Sequence, residues 1–191
     1  MLRICGFVLA LGWLAPAFAQ PMPQMTVETV MAALASVSQR QGFFTEEKQL
    51  TALERPVVVT GTLIYRRPSY LEKHALAPRR EDLVVDGNVL TVTDETGATR
   101  RLELGAQPEI RALVETIRAT LAGDLAALER DFSVDSAGEI ADWRLILRPT
   151  NPRLAGLVRL VQIEGSGPEP KRIETVMVNG DRTRLTIEPQ R

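Results

Sequence analysis

The chain is 191 residues long, 45% hydrophobic, 25% charged and only 5% aromatic, and 23 Lys and Arg against 24 Asp and Glu leave a formal charge of −1. That length holds one domain, at most two small ones, with a real core. The near-neutral balance excludes both the basic face of a nucleic-acid binder and the charge excess of a disordered chain.

The first segment in chain order is not part of the fold. Met1-Leu2-Arg3 opens with a positive charge, Ile4 to Leu14 is an uncharged apolar run, and Ala15-Pro16-Ala17-Phe18-Ala19 places small residues before a cut between Ala19 and Gln20. Residues 1–19 read as a cleaved secretory signal peptide, too short in its apolar run to span a bilayer. The expectation is an exported chain, residues 20–191, forming a single domain that does not span the membrane. The only cysteine, Cys5, leaves with the signal. Disulfides, Cys-ligated zinc and a Cys nucleophile are thereby excluded from the exported form.

After a linker from Gln20 to Gln24, Thr26 is a good N-cap and Val27, Val30, Met31, Leu34 and Val37 follow helical spacing. Gly42 stands where a left-handed helix terminus would fall. From Phe43 to Leu104 the period changes to two. The segments Phe43–Leu50, Val57–Arg67, Tyr70–Ala75, Leu83–Val85, Val89–Thr93 and Thr99–Leu104 read as strands, with Asp86-Gly87-Asn88 the clearest hairpin turn. No helical pattern separates them, so an antiparallel meander is expected.

Pro108 then suits a first helical position, and Ile110, Leu113, Val114, Ile117 and Leu121 make an apolar stripe, with Arg111, Glu115 and Arg118 on the other side. Gly123-Asp124 ends this helix and caps a short one, Leu125–Arg130. Five further strands follow: Phe132–Asp135, Ile140–Arg148, Leu157–Glu164, Arg172–Val178 and Arg182–Glu188. Turns are expected at Ser136-Ala137-Gly138 and Asn179-Gly180. One antiparallel sheet that large should curl around the helices, giving a mainly β fold with α, a half-barrel filled or lidded by amphipathic helices.

Catalytic chemistry is scarce. The single histidine, His74, has no nucleophile marked beside it and reads as an ordinary strand residue. Glu46 and Glu47, adjacent in a strand, point to opposite faces and cannot act as a pair on one substrate; they read as solvated or pore-edge charges. No phosphate-binding glycine loop, Gly-x-Ser-x-Gly elbow or acidic calcium loop occurs. No catalytic residue, cofactor or metal is expected. The stripe from Ile110 to Leu121 could line a cavity or fill a core, and periodicity alone leaves both open.

Three segments carry a resemblance. Phe44-Thr45-Glu46-Glu47-Lys48, Gly61-Thr62-Leu63-Ile64-Tyr65-Arg66-Arg67-Pro68 and Leu83-Val84-Val85-Asp86-Gly87-Asn88-Val89-Leu90 resemble, in order and spacing, strands of the periplasmic lipoprotein carrier family LolA. The likeness is to a divergent member: Tyr70-Leu71-Glu72-Lys73 stands where the family has aromatic residues. It implies an unclosed antiparallel barrel under helices, non-catalytic and periplasmic, whose cavity shields acyl chains passing from an inner-membrane donor complex to an outer-membrane acceptor. The cargo would be a lipoprotein or another lipid-linked envelope component, and the carrier a monomer. It further implies that Arg67 points inward and ties barrel to lid. Strand alternation then turns Leu63 and Tyr65 inward and Ile64 and Arg66 outward. With these, the expected lipid-contacting and lid residues are Leu71, Met31, Leu34, Ile110, Leu113, Val114, Ile117 and Leu121. Two other readings stay open: an envelope adaptor with a solid core, and a periplasmic hydrolase.

Overall fold

The structure, a computed structural model, describes residues 25–190. The expected signal peptide and the linker after it lie outside the described residues.

Helix α1 spans Val27–Ala35. The Thr26 hydroxyl accepts from the Thr29 N–H at 3.3 Å, and Glu28 sits in the first turn, where the helix dipole favours an anion. The helix stops at Ser36, well short of Gly42, which instead lies inside strand β1 (Gln39–Gln49), paired with Leu63 on one side and Pro189 on the other. The expected helix terminus at Gly42 is thus wrong. The reason is that Gly42 already belongs to the period-two series Gly42, Phe44, Glu46 that faces inward.

Strands β2 (Val57–Arg66), β3 (Tyr70–Ala77), β4 (Glu81–Asp86), β5 (Val89–Asp94) and β6 (Thr99–Glu103) continue the meander, each antiparallel to the one before. A 3-10 turn at Leu104–Ala106 leads into α2 (Pro108–Ala122), closed by Gly123 at φ 68°. The short α3 (Leu125–Leu128) is capped by Asp124, whose carboxylate accepts from the Ala127 N–H.

Five more strands follow: β7 (Phe132–Glu139), β8 (Asp142–Pro149), β9 (Val158–Ser166), β10 (Glu169–Met177) and β11 (Arg182–Pro189). The one-turn helix α4 (Pro152–Ala155) lies between β8 and β9, and its sequence carries no periodic signal. Ser136-Ala137-Gly138 is not a turn but the end of β7, with Gly138 opposite Trp143. A side chain there would collide with the Asp142 carbonyl, and φ is 96°, so glycine serves the close strand approach rather than the reversal.

The eleven strands of the described residues form one antiparallel sheet in the order β6-β5-β4-β3-β2-β1-β11-β10-β9-β8-β7. The first and last strands meet at its centre, sewing two meanders together, while β6 and β7 are its free ends. The barrel is therefore unclosed. Its concave side holds two unequal apolar clusters. The large one packs α1, α2 and α3 on β7–β9 through Val30, Met31, Leu34, Leu128, Trp143 and Leu145, among others. The small one centres on Val85, Leu90 and Leu104.

Candidate functional site

Between these clusters the concave sheet and α2 leave a cavity of about 360 Å³, within the range of small-ligand sites. The α2 stripe forms one wall: Ile110, Leu113, Val114, Ile117 and Leu121 all border the space. Leu63, Tyr65 and Leu71 face it from β2 and β3, and Ile173, Leu185 and Ile187 from β10 and β11. Ile64, expected outward, borders it as well, whereas Arg66 is exposed and stacks 4.1 Å over the Tyr70 ring.

Two residues expected at this site are elsewhere. Met31 and Leu34 are buried in the large cluster and do not border the cavity. Their spacing placed them on the apolar face of α1, and that face packs on β7–β9.

Arg67 is also displaced from its expected place. It is exposed and outside the cavity wall, although its Nη2 does donate to the Ala122 carbonyl at the end of α2. Strand β2 ends at Arg66, so Arg67 has left the alternation that would have turned it inward.

The inward arginine is Arg40 of β1. Its Nη1 donates to Leu121 O at 3.0 Å and to Val37 O at 3.3 Å; its Nη2 donates to Leu34 O at 2.8 Å and to Pro168 O at 3.0 Å. One guanidinium thus joins α1, the end of α2 and the β9–β10 turn. Burial lowers its pKa, opposed by the charge of Glu169, which also borders the cavity. From the other direction Arg118 of α2, expected on the solvent side, is 7% exposed. Its Nη2 donates to Ser69 O and to Gly87 O, in the β2–β3 and β4–β5 turns, and its Nη1 pairs with Glu115. The side chain is long enough to curl under its own helix and reach those carbonyls.

The cavity is not uniformly apolar. Glu46, read from sequence as a solvated or pore-edge charge, is 8% exposed and borders it. Its Oε2 lies 2.6 Å from Lys73 Nζ and 3.4 Å from Lys48 Nζ, and Lys73 also sits 4.8 Å over the Phe44 ring. The alternation from Phe44 already pointed inward at Glu46, and Lys73 is the matching inward residue between Leu71 and Ala75 on β3. Among the described residues three buried donors have no hydrogen-bond partner: Tyr65 Oη, Arg40 Nε and Arg118 Nε. Each such orphan costs about 1–3 kcal/mol.

On the other face of β3, His74 is held between Asp82, 2.8 Å from Nδ1, and Glu72, at Nε2; the Tyr70 hydroxyl donates to the same Glu72 at 2.7 Å. The hydrogen bond to Asp82, then those to Glu72, raise the His74 pKa, with burial opposing. The His74 ring nitrogens meet carboxylates only, so the arrangement holds a proton in place rather than activating a nucleophile. Among the described residues no group of His, Cys, Asp and Glu has the make-up of a metal site, and no helix is long and apolar enough to cross a membrane.

The family model described as outer membrane lipoprotein carrier protein LolA-like matches residues 19–188. No curated protein sequence matches the chain. Among solved structures, it is similar to a LolA superfamily protein from Nitrosomonas europaea, with 11% identity over 86% of this chain and 92% of that one and a TM-score of 0.43. It is similar also to the MucA/MucB complex structure of Pseudomonas aeruginosa, with 13% identity over 84% of this chain and a TM-score of 0.44. That match covers 55% of the other chain. A putative outer membrane lipoprotein-sorting protein domain from Vibrio parahaemolyticus gives 9% identity over 86% and 91% of the two chains, with a TM-score of 0.41.

Proposed function

The chain belongs to the LolA-like family of outer membrane lipoprotein carriers, and from that premise we propose that it is an exported, periplasmic, non-catalytic carrier. It shelters acyl chains of a lipoprotein or another lipid-linked envelope component under α2, receiving them at the inner membrane and yielding them toward the outer one. The observation that carries this reading is that the apolar stripe of α2 borders a void of about 360 Å³ left open between the two packed clusters. A solid-core adaptor would have no use for that space.

The energetics suit the role. Burial is worth about 0.8 kcal/mol per methylene, so a C14 to C16 chain gains on the order of 10 kcal/mol before the costs of association. Release must therefore be coupled to a lid whose closure is held by other bonds, and the carbonyl contacts of Arg40, Arg67 and Arg118 supply them.

Native mass spectrometry of the protein purified from a periplasmic fraction tests the proposal: a retained acylated molecule is expected. Ile117→Ala should weaken uptake of an apolar fluorescent probe while costing less than about 1 kcal/mol, because the side chain is 38% exposed. Leu145→Ala, at 0% exposure in the large cluster, should cost about 2–5 kcal/mol. Protein that is ligand-free, and that binds neither the probe nor a lysolipid, would refute the carrier reading.

A further inference from the structure

Arg40 and Tyr65 are direct cross-strand partners on the inward faces of β1 and β2, and both border the cavity. Tyr65 is 2% exposed, yet its hydroxyl has no partner. Arg40 spends both Nη atoms on four carbonyls and leaves its Nε buried and unbonded. Two donors with nothing to bond, buried just behind the cavity wall on adjacent lining residues, make a site for an acceptor that arrives with a ligand.

We infer that the cargo carries a neutral acyl carbonyl, of an ester or amide, that accepts hydrogen bonds from Tyr65 Oη and Arg40 Nε while its alkyl chain lies along the α2 stripe. This rests on the carrier reading and specifies its ligand. Neutrality follows from charge: Glu169 already faces the Arg40 guanidinium from the cavity wall, so a carboxylate brought there would meet a like charge. Arg40 is only half-buried, at the last turn of α2, so whatever follows the carbonyl has a way out toward solvent. The chemistry of the join between chain and headgroup, not the chain alone, is thereby read at the closed end of the lid.

Palmitoyl lysophosphatidylcholine and its O-hexadecyl ether analogue share a headgroup and an alkyl chain of near-equal length and differ at this carbonyl. Displacement of a fluorescent probe from the wild-type protein should favour the ester by about fivefold, the size of one or two net hydrogen bonds. Tyr65→Phe should bring the two within about twofold by weakening the ester alone, with no loss of thermal stability, since it deletes an unpartnered hydroxyl. Palmitate anion should bind more weakly than the ester. An ester and ether bound equally by wild type, or an ester preference that survives in Tyr65→Phe, would overturn the inference and leave the carrier reading standing. Palmitate binding tighter than the ester would overturn the neutral-carbonyl assignment. Failure of every one of these amphiphiles to bind would overturn the carrier reading along with it.

Discussion

Arg40 and Arg67 both reach the end of α2, and their unequal surroundings set an order that can be measured. Arg40→Met removes four charge-assisted hydrogen bonds, two of them local, to Leu34 O and Val37 O, and two long-range, to Leu121 O and Pro168 O. Bonds to a charged group are worth about 1.5–3 kcal/mol each, but they share one guanidinium and do not add. Methionine recovers part of the loss, because it removes the desolvation that lowers the arginine's pKa and fills much of the same volume. The balance is a destabilisation of about 3 kcal/mol, dominated by the two carbonyls left unpaired at half-buried positions. With a slope of about 2 kcal/mol per molar in urea, the unfolding midpoint should fall by about 1.5 M. Arg67→Met breaks one contact at an exposed side chain and should cost under about 1 kcal/mol, a shift below about 0.5 M. Equal shifts, or a larger one for Arg67, would refute the assignment of Arg40 as the main tie.

Two further outcomes follow from the charges around β3. Lys73→Met alone leaves Glu46 buried with only Lys48 at 3.4 Å, whereas Glu46→Leu with Lys73→Met removes both charges; urea midpoints should show the double variant more stable than the single. His74, the sole histidine, has a pKa raised above its ordinary 6.5 by Asp82 and Glu72, so its protonated form favours the fold. Its contribution is complete below the unfolded-state value and disappears as pH rises through the raised folded one. The midpoint gap between wild type and His74→Gln should therefore be wider at pH 5.5 than at pH 8.5, and a gap independent of pH would refute the pairing.

Much of the fold was legible because backbone period and turn chemistry are local. The Asp86-Gly87 turn, the cap at Asp124 and the stripe from Ile110 to Leu121 all stand where sequence pattern placed them. What escaped was the difference between a stripe that fills a core and one that walls a void, since both need the same apolar residues at the same spacing. The charged members of the site escaped for a second reason. Glu46, Lys73 and Arg40 sit at inward positions of strands, and polarity at such positions argues for solvent until a partner from another strand or helix is in view. Those partners are remote in sequence: Arg40 to Leu121 spans 81 residues and Lys73 to Glu46 spans 27. Arg67 is the opposite case: the resemblance implied an inward residue tied to the lid, and the tie to the Ala122 carbonyl is there although the side chain lies past the end of β2 and is exposed.

The two faces of α2 are held by different forces, and that decides which side can part. Toward α1, α3 and β7–β9 the helix contributes Ala119 to the large cluster, with Ala112 and Leu113 packed on it, so separation there exposes apolar surface and opens a void in a close-packed region. Toward β2–β5 its contacts are the small cluster around Val85, Leu90 and Leu104 and a set of cation-to-carbonyl bonds: Arg118 to Ser69 and Gly87, Arg67 to Ala122. Water can replace a carbonyl acceptor at little net cost, whereas nothing in water replaces lost packing. The apolar stripe on that side borders the cavity, and on the carrier reading an acyl chain would lie against it. A lid that opens as the carrier reading proposes would therefore part between α2 and the β2–β5 meander, with α2 staying on the large cluster. On that reading the arginines would set how readily the seam opens, and an entering chain would take over the contacts the seam gives up.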